Sequence, residues 1–240
     1  MGNDRRNRLR ALLARHDQEG PGSRLRHICA LCVKELEVTG AGTTVLSRVD
    51  DDGTQHHRGL VHASNAVSTQ LEDLQLVVGE GPCVQAFATG GPILVPDLAA
   101  TYLRWPAFAS AAAELGVAAV FSFPLQVGVA RLGSLDLYRD RPGPLTPARL
   151  ADALILADWA TAAVIEQVDG HNTSDISWMA DPHVEIHQAV GMVKIQLGVT
   201  TEVALLRLRG HAFTAGVPIT QVAKQVVTRT LRFVPDNEPT

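Results

Sequence analysis

Between Asp181 and Phe233 the chain reads DPHVEIHQAVGMVKIQLGVTTEVALLRLRGHAFTAGVPITQVAKQVVTRTLRF, three apolar stripes of helical period separated by stop signals. Ile186, Val190, Val193 and Leu197 share a face of the first segment, and Ala204, Leu205, Leu208 and Ala212 a face of the second. Ile219, Val222, Ala223, Val226 and Val227 do the same in the third. Asp181-Pro182 suits an N-cap and first helical position, and Gly198 a left-handed stop. Thr200 suits a second N-cap with Glu202 in the first turn, and Gly216 and Pro218 break the chain before the third helix. Three amphipathic helices with short connections can bury only one small shared core. The stretch therefore predicts an all-α three-helix bundle over 181–233.

Charge sets this unit apart. It carries Lys194, Arg207, Arg209, Lys224, Arg229 and Arg232 against Asp181, Glu185 and Glu202, a net of +3 in a 240-residue chain of net charge −4. Clustered cations on a small helical unit are the footprint of a phosphate-backbone partner and equally of a solvated face, and charge alone leaves both open. The run IHQAVGMVKIQLGVTTEVALLRLRGHAF…VPITQVAKQVV resembles an ANTAR domain, the three-helix RNA-binding output module of bacterial transcription antiterminators. The matching positions are Ala189, Gly191, Met192, Leu197-Gly198, Glu202, Ala204, Leu208, Arg209, Ala212 and Val222-Ala223. One departure is Val190, where many members carry Lys, so Lys194 is the only basic residue of the first helix.

The resemblance implies binding to short RNA hairpins, often in tandem, so that a terminator cannot form. On that reading Lys194, Arg207, Arg209, Lys224, Arg229 and Arg232 contact phosphates. His211 stacks or donates at an unpaired base, Gly191 lets the RNA backbone approach, and Phe213 and Phe233 belong to the core or the bundle edge. Tandem hairpins imply a homodimer, with avidity set by their spacing.

The remainder divides by charge into a basic segment over 1–22, a domain over 23–168, a polar linker over 169–180 and a tail over 234–240. Residues 1–26 carry a net +4, and residues 27–168 a net −7, which argues against nucleic-acid binding by the middle of the chain. Leu9, Leu12 and Leu13 give the first segment a short helical stripe, against which a floppy tail is the favoured expectation. From Arg24 to Val38 the pattern is helical. β-branched Thr43 to Val49 leads to a hairpin turn at Asp50-Asp51-Asp52-Gly53 and a return strand near His56 to Ala63. Further strands are expected at Pro92–Asp97, Val117–Leu125 and Arg131–Tyr138. Helices are expected near Val84–Ala88 and Trp105–Leu115, and from a Thr146-Pro147 cap to Val168.

Strands flanked by first and last helices predict an α+β domain. The pieces LEDLQLVVGEGPCVQAF, ILVPDLA, RWPAFASAAAELGVAAVFSFPLQ and RLGSLDLYRDRPGPL resemble a GAF domain of the kind that precedes ANTAR modules in actinobacterial regulators. That resemblance implies a sensor fold with a possible small-molecule ligand, which no residue identifies, and dimers formed through outer helices. The linker around His171–Asp175 reads as a lever between domains or as a passive tether.

Several residues invite chemistry. Cys29 and Cys32 have redox or zinc spacing, yet no second ligand pair accompanies them, and i, i+3 also suits two core cysteines. Cys83 follows Gly-Glu-Gly-Pro at a helix start, where a thiolate is favoured, so Cys83, Cys29 and Cys32 are the redox or sensor candidates. His56 and His57 point to opposite faces of a strand and cannot share a metal, and Asp50–Asp52 lacks the spaced ligands of a calcium loop. No metal, no cofactor and no catalytic constellation is expected. The lack of a membrane-length apolar run or signal peptide and an odd cysteine count point to a reducing cytoplasm.

The function expected is a signal-responsive RNA-binding transcription antitermination regulator that is not an enzyme. Two alternatives stay open: a helix-turn-helix-like DNA-binding regulator, with Thr220, Gln221 and Lys224 on its third helix, or a ligand- or redox-responsive interaction module without nucleic-acid binding.

Overall fold

Successive strand residues point to opposite faces of a sheet, and the central strands of this chain are apolar on both. The computed structural model describes residues 2–14, 23–48, 56–169, 184–217 and 219–234. Its contacts group into two compact units, one holding Met1–Ser47 and Leu60–Ala180 and the other Arg48–Gly59 and Asp181–Thr240.

The first unit contains a five-stranded sheet in the order β2-β1-β5-β4-β3. The strands are β1 (Gly40–Arg48), β2 (His56–Ala63), β3 (Ile93–Val95), β4 (Ala119–Val127) and β5 (Ala130–Arg139). The pairs β1/β5, β5/β4 and β4/β3 are antiparallel, with Thr44 opposite Ser134 and Ser122 opposite Asp136. On one face Ala41, Val45, Phe121, Phe123, Leu125, Leu135 and Leu137 pack beneath α1 (Gly2–Ala14), α2 (Ser23–Leu36) and α6 (Pro147–Asp169). On the other, Val95, Val120 and Tyr138 pack with Leu71 of α3 (Ala66–Val78) and Phe108 of α5 (Pro106–Glu114). The short helix α4 (Pro82–Thr89) lies against β3, β4 and β5 on the same domain.

Local chemistry explains the boundaries. Thr146 Oγ1 accepts the Arg149 amide at 3.2 Å and Pro147 opens α6, so the expected cap is present. α3 begins where Asn65 Oδ1 accepts the Ser68 amide at 2.8 Å and fixes the first turn. α5 has no side-chain cap of its own. Glu80, distant in sequence, accepts the amides of Ala107 and Phe108 at 2.8 and 3.0 Å.

The expectation of a floppy basic start is overturned. Leu9 and Leu13 of α1 are buried in the larger core, and Arg5, Arg6 and Arg8 find acids on neighbouring helices. Arg5 and Arg8 grip the buried carboxylate of Asp152 at 2.9 and 2.7 Å, Arg8 also pairs with Glu35, and Arg6 with Asp158. Apolar stripe and charge complementarity together dock the helix.

The second unit holds α7 (Val184–Leu197), α8 (Thr201–Ala215) and α9 (Ile219–Val227), each packed on the other two. Ile186, Ala189, Val190, Val193, Ala204, Leu208, Ala212, Ile219, Val222, Ala223 and Val226 are buried, while the expected core residues Leu197, Leu205 and Val227 are half-buried. Thr200 Oγ1 accepts the Val203 amide at 3.4 Å, and Gly198 and Gly216 adopt φ of 64° and 65°, as the stop and start signals predicted. Asp50–Gly53, His171–Asp175 and Asp181-Pro182 lie outside the described residues. No helix among the described residues is long and apolar enough to cross a membrane.

Candidate functional site

The α3/α4 face of the sheet gathers polar side chains that the sequence leaves far apart. Strand alternation aims Gly42 and Thr44 of β1, Ser122 of β4, and Ser134 and Asp136 of β5 to this side. α3 contributes Glu72 and Gln75, and the second residue of α4 is Cys83. All are buried. One ligand atom from each of Glu72, Cys83 and Asp136 lies within 4.8 Å of the other two. Among the described residues no other trio of His, Cys, Asp or Glu side chains comes so close.

Both carboxylates are oriented by hydroxyls from paired strand positions. Thr44 donates to Glu72 Oε2 at 2.8 Å, and Ser134 donates to Asp136 Oδ2 at 2.6 Å. Cys83 is positioned through its backbone, since its amide donates to Gln75 Oε1 at 2.8 Å. Gly42 makes the approach of α3 feasible: a Cβ there would stand 3.2 Å from Glu72 Oε1 and 3.3 Å from its Cγ. Gln75 Nε2 and Ser122 Oγ are enclosed and make no hydrogen bond among the described residues. Cross-strand pairing places Ser122 beside Asp136, and the bond to Cys83 places the Gln75 amide at the thiol's end of the cluster.

The other two cysteines occupy the opposite face. Cys29 and Cys32 are fully buried in α2, and none of the three cysteines forms a disulfide. Burial pushes the Cys29 thiol up to about 12 despite a 3.4 Å contact with Thr43 Oγ1, and burial also raises Cys32. Protonated, enclosed thiols suit the packed-core reading of this pair and not a reactive one.

On the three-helix unit, Arg207, Lys224, Arg229 and Arg232 are exposed, and Lys194 and Arg209 are half-buried. Burial lowers the pKa of Arg209, but a guanidinium stays charged at neutral pH. A Cβ at the exposed Gly191 would meet nothing within 4 Å, which leaves α7 open to close approach. Gly191 also lines a shallow cavity of about 530 Å³ with Gln188, Met192, Ile195, Gln196 and Val227. His211 packs edge-on against Phe233 with ring centroids 5.6 Å apart, so its ring is engaged within the unit. Phe213 is not a core residue: it is 88% exposed on α8. Phe233 is half-buried, as a bundle-edge residue should be.

Residues 21–164 match the GAF domain family. The chain belongs to the GAF domain family. No curated protein matches it by sequence. The GAF domain of a phosphoenolpyruvate-protein phosphotransferase from Coxiella burnetii is 18% identical, with a TM-score of 0.53 over 70% of this chain and 97% of that one. The corresponding Acinetobacter domain is 12% identical, with a TM-score of 0.51 over 73% and 100%. Escherichia coli SdiA is 15% identical, with a TM-score of 0.53 over 92% and 96%. At these identities the likeness establishes fold.

Within the GAF domain, Cys83 was legible as a candidate from its helix-start motif, but Glu72 and Asp136 were not. A signal did exist: polar Ser122, Ser134 and Asp136 interrupt otherwise apolar strands at positions facing one side. Buried strand polars of that kind need partners, and here they converge. His56 and His57 lie on β2, with side chains outside the described set.

Proposed function

We propose that this protein is a signal-responsive regulator, not an enzyme, whose GAF domain senses a cue and whose C-terminal three-helix unit binds RNA hairpins to prevent terminator formation. The reading rests on the surface of that unit, where an exposed aromatic ring shares a helix face with a cation. Phe213 follows Arg209 by four residues on α8, and residues four apart share a helix face. Arg207, Lys224, Arg229 and Arg232 are exposed on the same unit and add further positive charge. Cations supply salt-dependent phosphate contacts, and an exposed ring supplies a stacking platform for an unpaired loop base, worth about 1–3 kcal/mol.

The ANTAR-like signature supports this division of labour. Its small apolar members Ala189, Ala204, Leu208, Ala212, Val222 and Ala223 close the core, while Gly191 stays open at the surface. Tandem hairpins would engage two copies of the chain, so the reading includes a homodimer.

Binding of the full chain to an RNA stem-loop, to the same stem without its loop and to duplex DNA tests the reading. The stem-loop should bind tightest, with log affinity falling linearly against log salt concentration. Phe213→Ala should weaken stem-loop binding about tenfold or more and leave loopless binding unchanged. Lys194→Ala with Arg209→Ala should flatten the salt slope by about one per lost phosphate contact. Preference for duplex DNA, or indifference to all three at low salt, would overturn it.

A further inference from the structure

The geometry points to a binding site for one divalent first-row transition-metal ion, of the zinc or ferrous class, ligated by Glu72, Cys83 and Asp136 inside the GAF domain. Three anionic-capable ligand atoms from three separate elements converge within 4.8 Å in a fully buried setting. Donors about 2.0–2.3 Å from a zinc-type ion stand roughly 3–4 Å apart, so a small inward adjustment suffices. Two carboxylates this close repel when both are ionised, and removal from water adds to the cost. A central dication removes both penalties.

The surroundings are those of a built metal centre. Thr44 and Ser134 each hold one carboxylate by a hydroxyl donor, the outer-shell arrangement that fixes ligand orientation. Two further side chains independently border the cluster: Gln75 Nε2 and Ser122 Oγ, both 0% exposed and neither hydrogen-bonded among the described residues. They suit a water or small exogenous ligand in the remaining coordination position, with Gln75 donating to it and Ser122 donating or accepting.

The donor set selects the metal class. Three carboxylates would suit magnesium or calcium, whereas one thiolate with two carboxylates favours zinc, iron or cobalt. On binding, the Cys83 S–H bond breaks, its proton passes to solvent and a metal–sulfur bond forms, with no change of oxidation state. This site requires nothing of the C-terminal unit and stands or falls separately from RNA binding.

The test uses the full chain refolded with Co(II), because the site is enclosed. The wild type should take up one ion per chain and show a thiolate-to-cobalt charge-transfer band. The band should vanish in Cys83→Ser and persist in Cys29→Ser and Cys32→Ser. Thr44→Val should weaken the ion's affinity about 10–100-fold, and Glu72→Gln by more. X-ray absorption of the zinc-loaded wild type, which needs no variant to fold, should show one sulfur among light-atom ligands. A folded wild type without the band, a band that survives Cys83→Ser, or a shell with no sulfur or two sulfurs would each overturn the assignment.

Discussion

His62 shows what one side chain contributes to pH response. Burial lowers its pKa below the ordinary 6.5, helped by Arg26 and then His27 on α2. A depressed imidazole prefers to be neutral in the folded chain. Its contribution is therefore fully present above pH 6.5 and is lost as pH falls through the lower folded value. Denaturant unfolding at pH 8 and pH 5 should show the loss, and His62→Gln should reduce the difference. Arg139 acts differently. It is buried, and its Nε and Nη2 each donate at 3.0 Å to carbonyls of Glu37 and Leu36, which end α2, while Nη1 reaches the Pro144 carbonyl at 3.2 Å. Arg139→Ala would strand those carbonyls and should cost about 3 kcal/mol in unfolding free energy. Arg139→Lys cannot reproduce the fork and should recover only part of it.

Elements were legible where pattern and punctuation agreed. Thr146-Pro147, Thr200, Gly198 and Gly216 mark helix ends in the sequence and do so in the fold. β-branched and alternating runs marked the strands for the same reason. α1 was not legible, because three leucines in an arginine-rich run make a weak stripe. Its partners, Asp152 and Asp158, lie on the last helix of the domain, beyond the reach of local pattern. The Glu72–Cys83–Asp136 cluster escaped for the same reason, since only tertiary pairing unites α3, α4 and β5. Leu9→Ala should test how firmly α1 is held, at a cost of about 2–5 kcal/mol in chemical denaturation if the cavity stays unfilled. Glu80→Ala should cost about 1 kcal/mol by uncapping α5, with little effect on α2 or α6.

At the scale of the whole molecule, charge is spent in two different ways. Arg5, Arg6 and Arg8 of α1 pair with acids of the same domain, whereas Arg229 and Arg232 after α9 are exposed to solvent. Arg229 is unusual among the latter, with φ of 62° in the left-handed region that disfavours a side chain. Arg229→Gly should keep or raise stability, by up to about 1 kcal/mol, while weakening stem-loop binding in proportion to one lost phosphate contact. Thermal unfolding and the salt slope, measured on the same preparation, separate the two effects.

The family match begins at residue 21, downstream of Leu9 and Leu13, which are both buried. An expression fragment trimmed to that boundary would uncover an oily trough over α2 and α6 and leave Asp152 without its arginine clasp. Such a fragment should clump on concentration, and restoring the first fourteen residues should cure it.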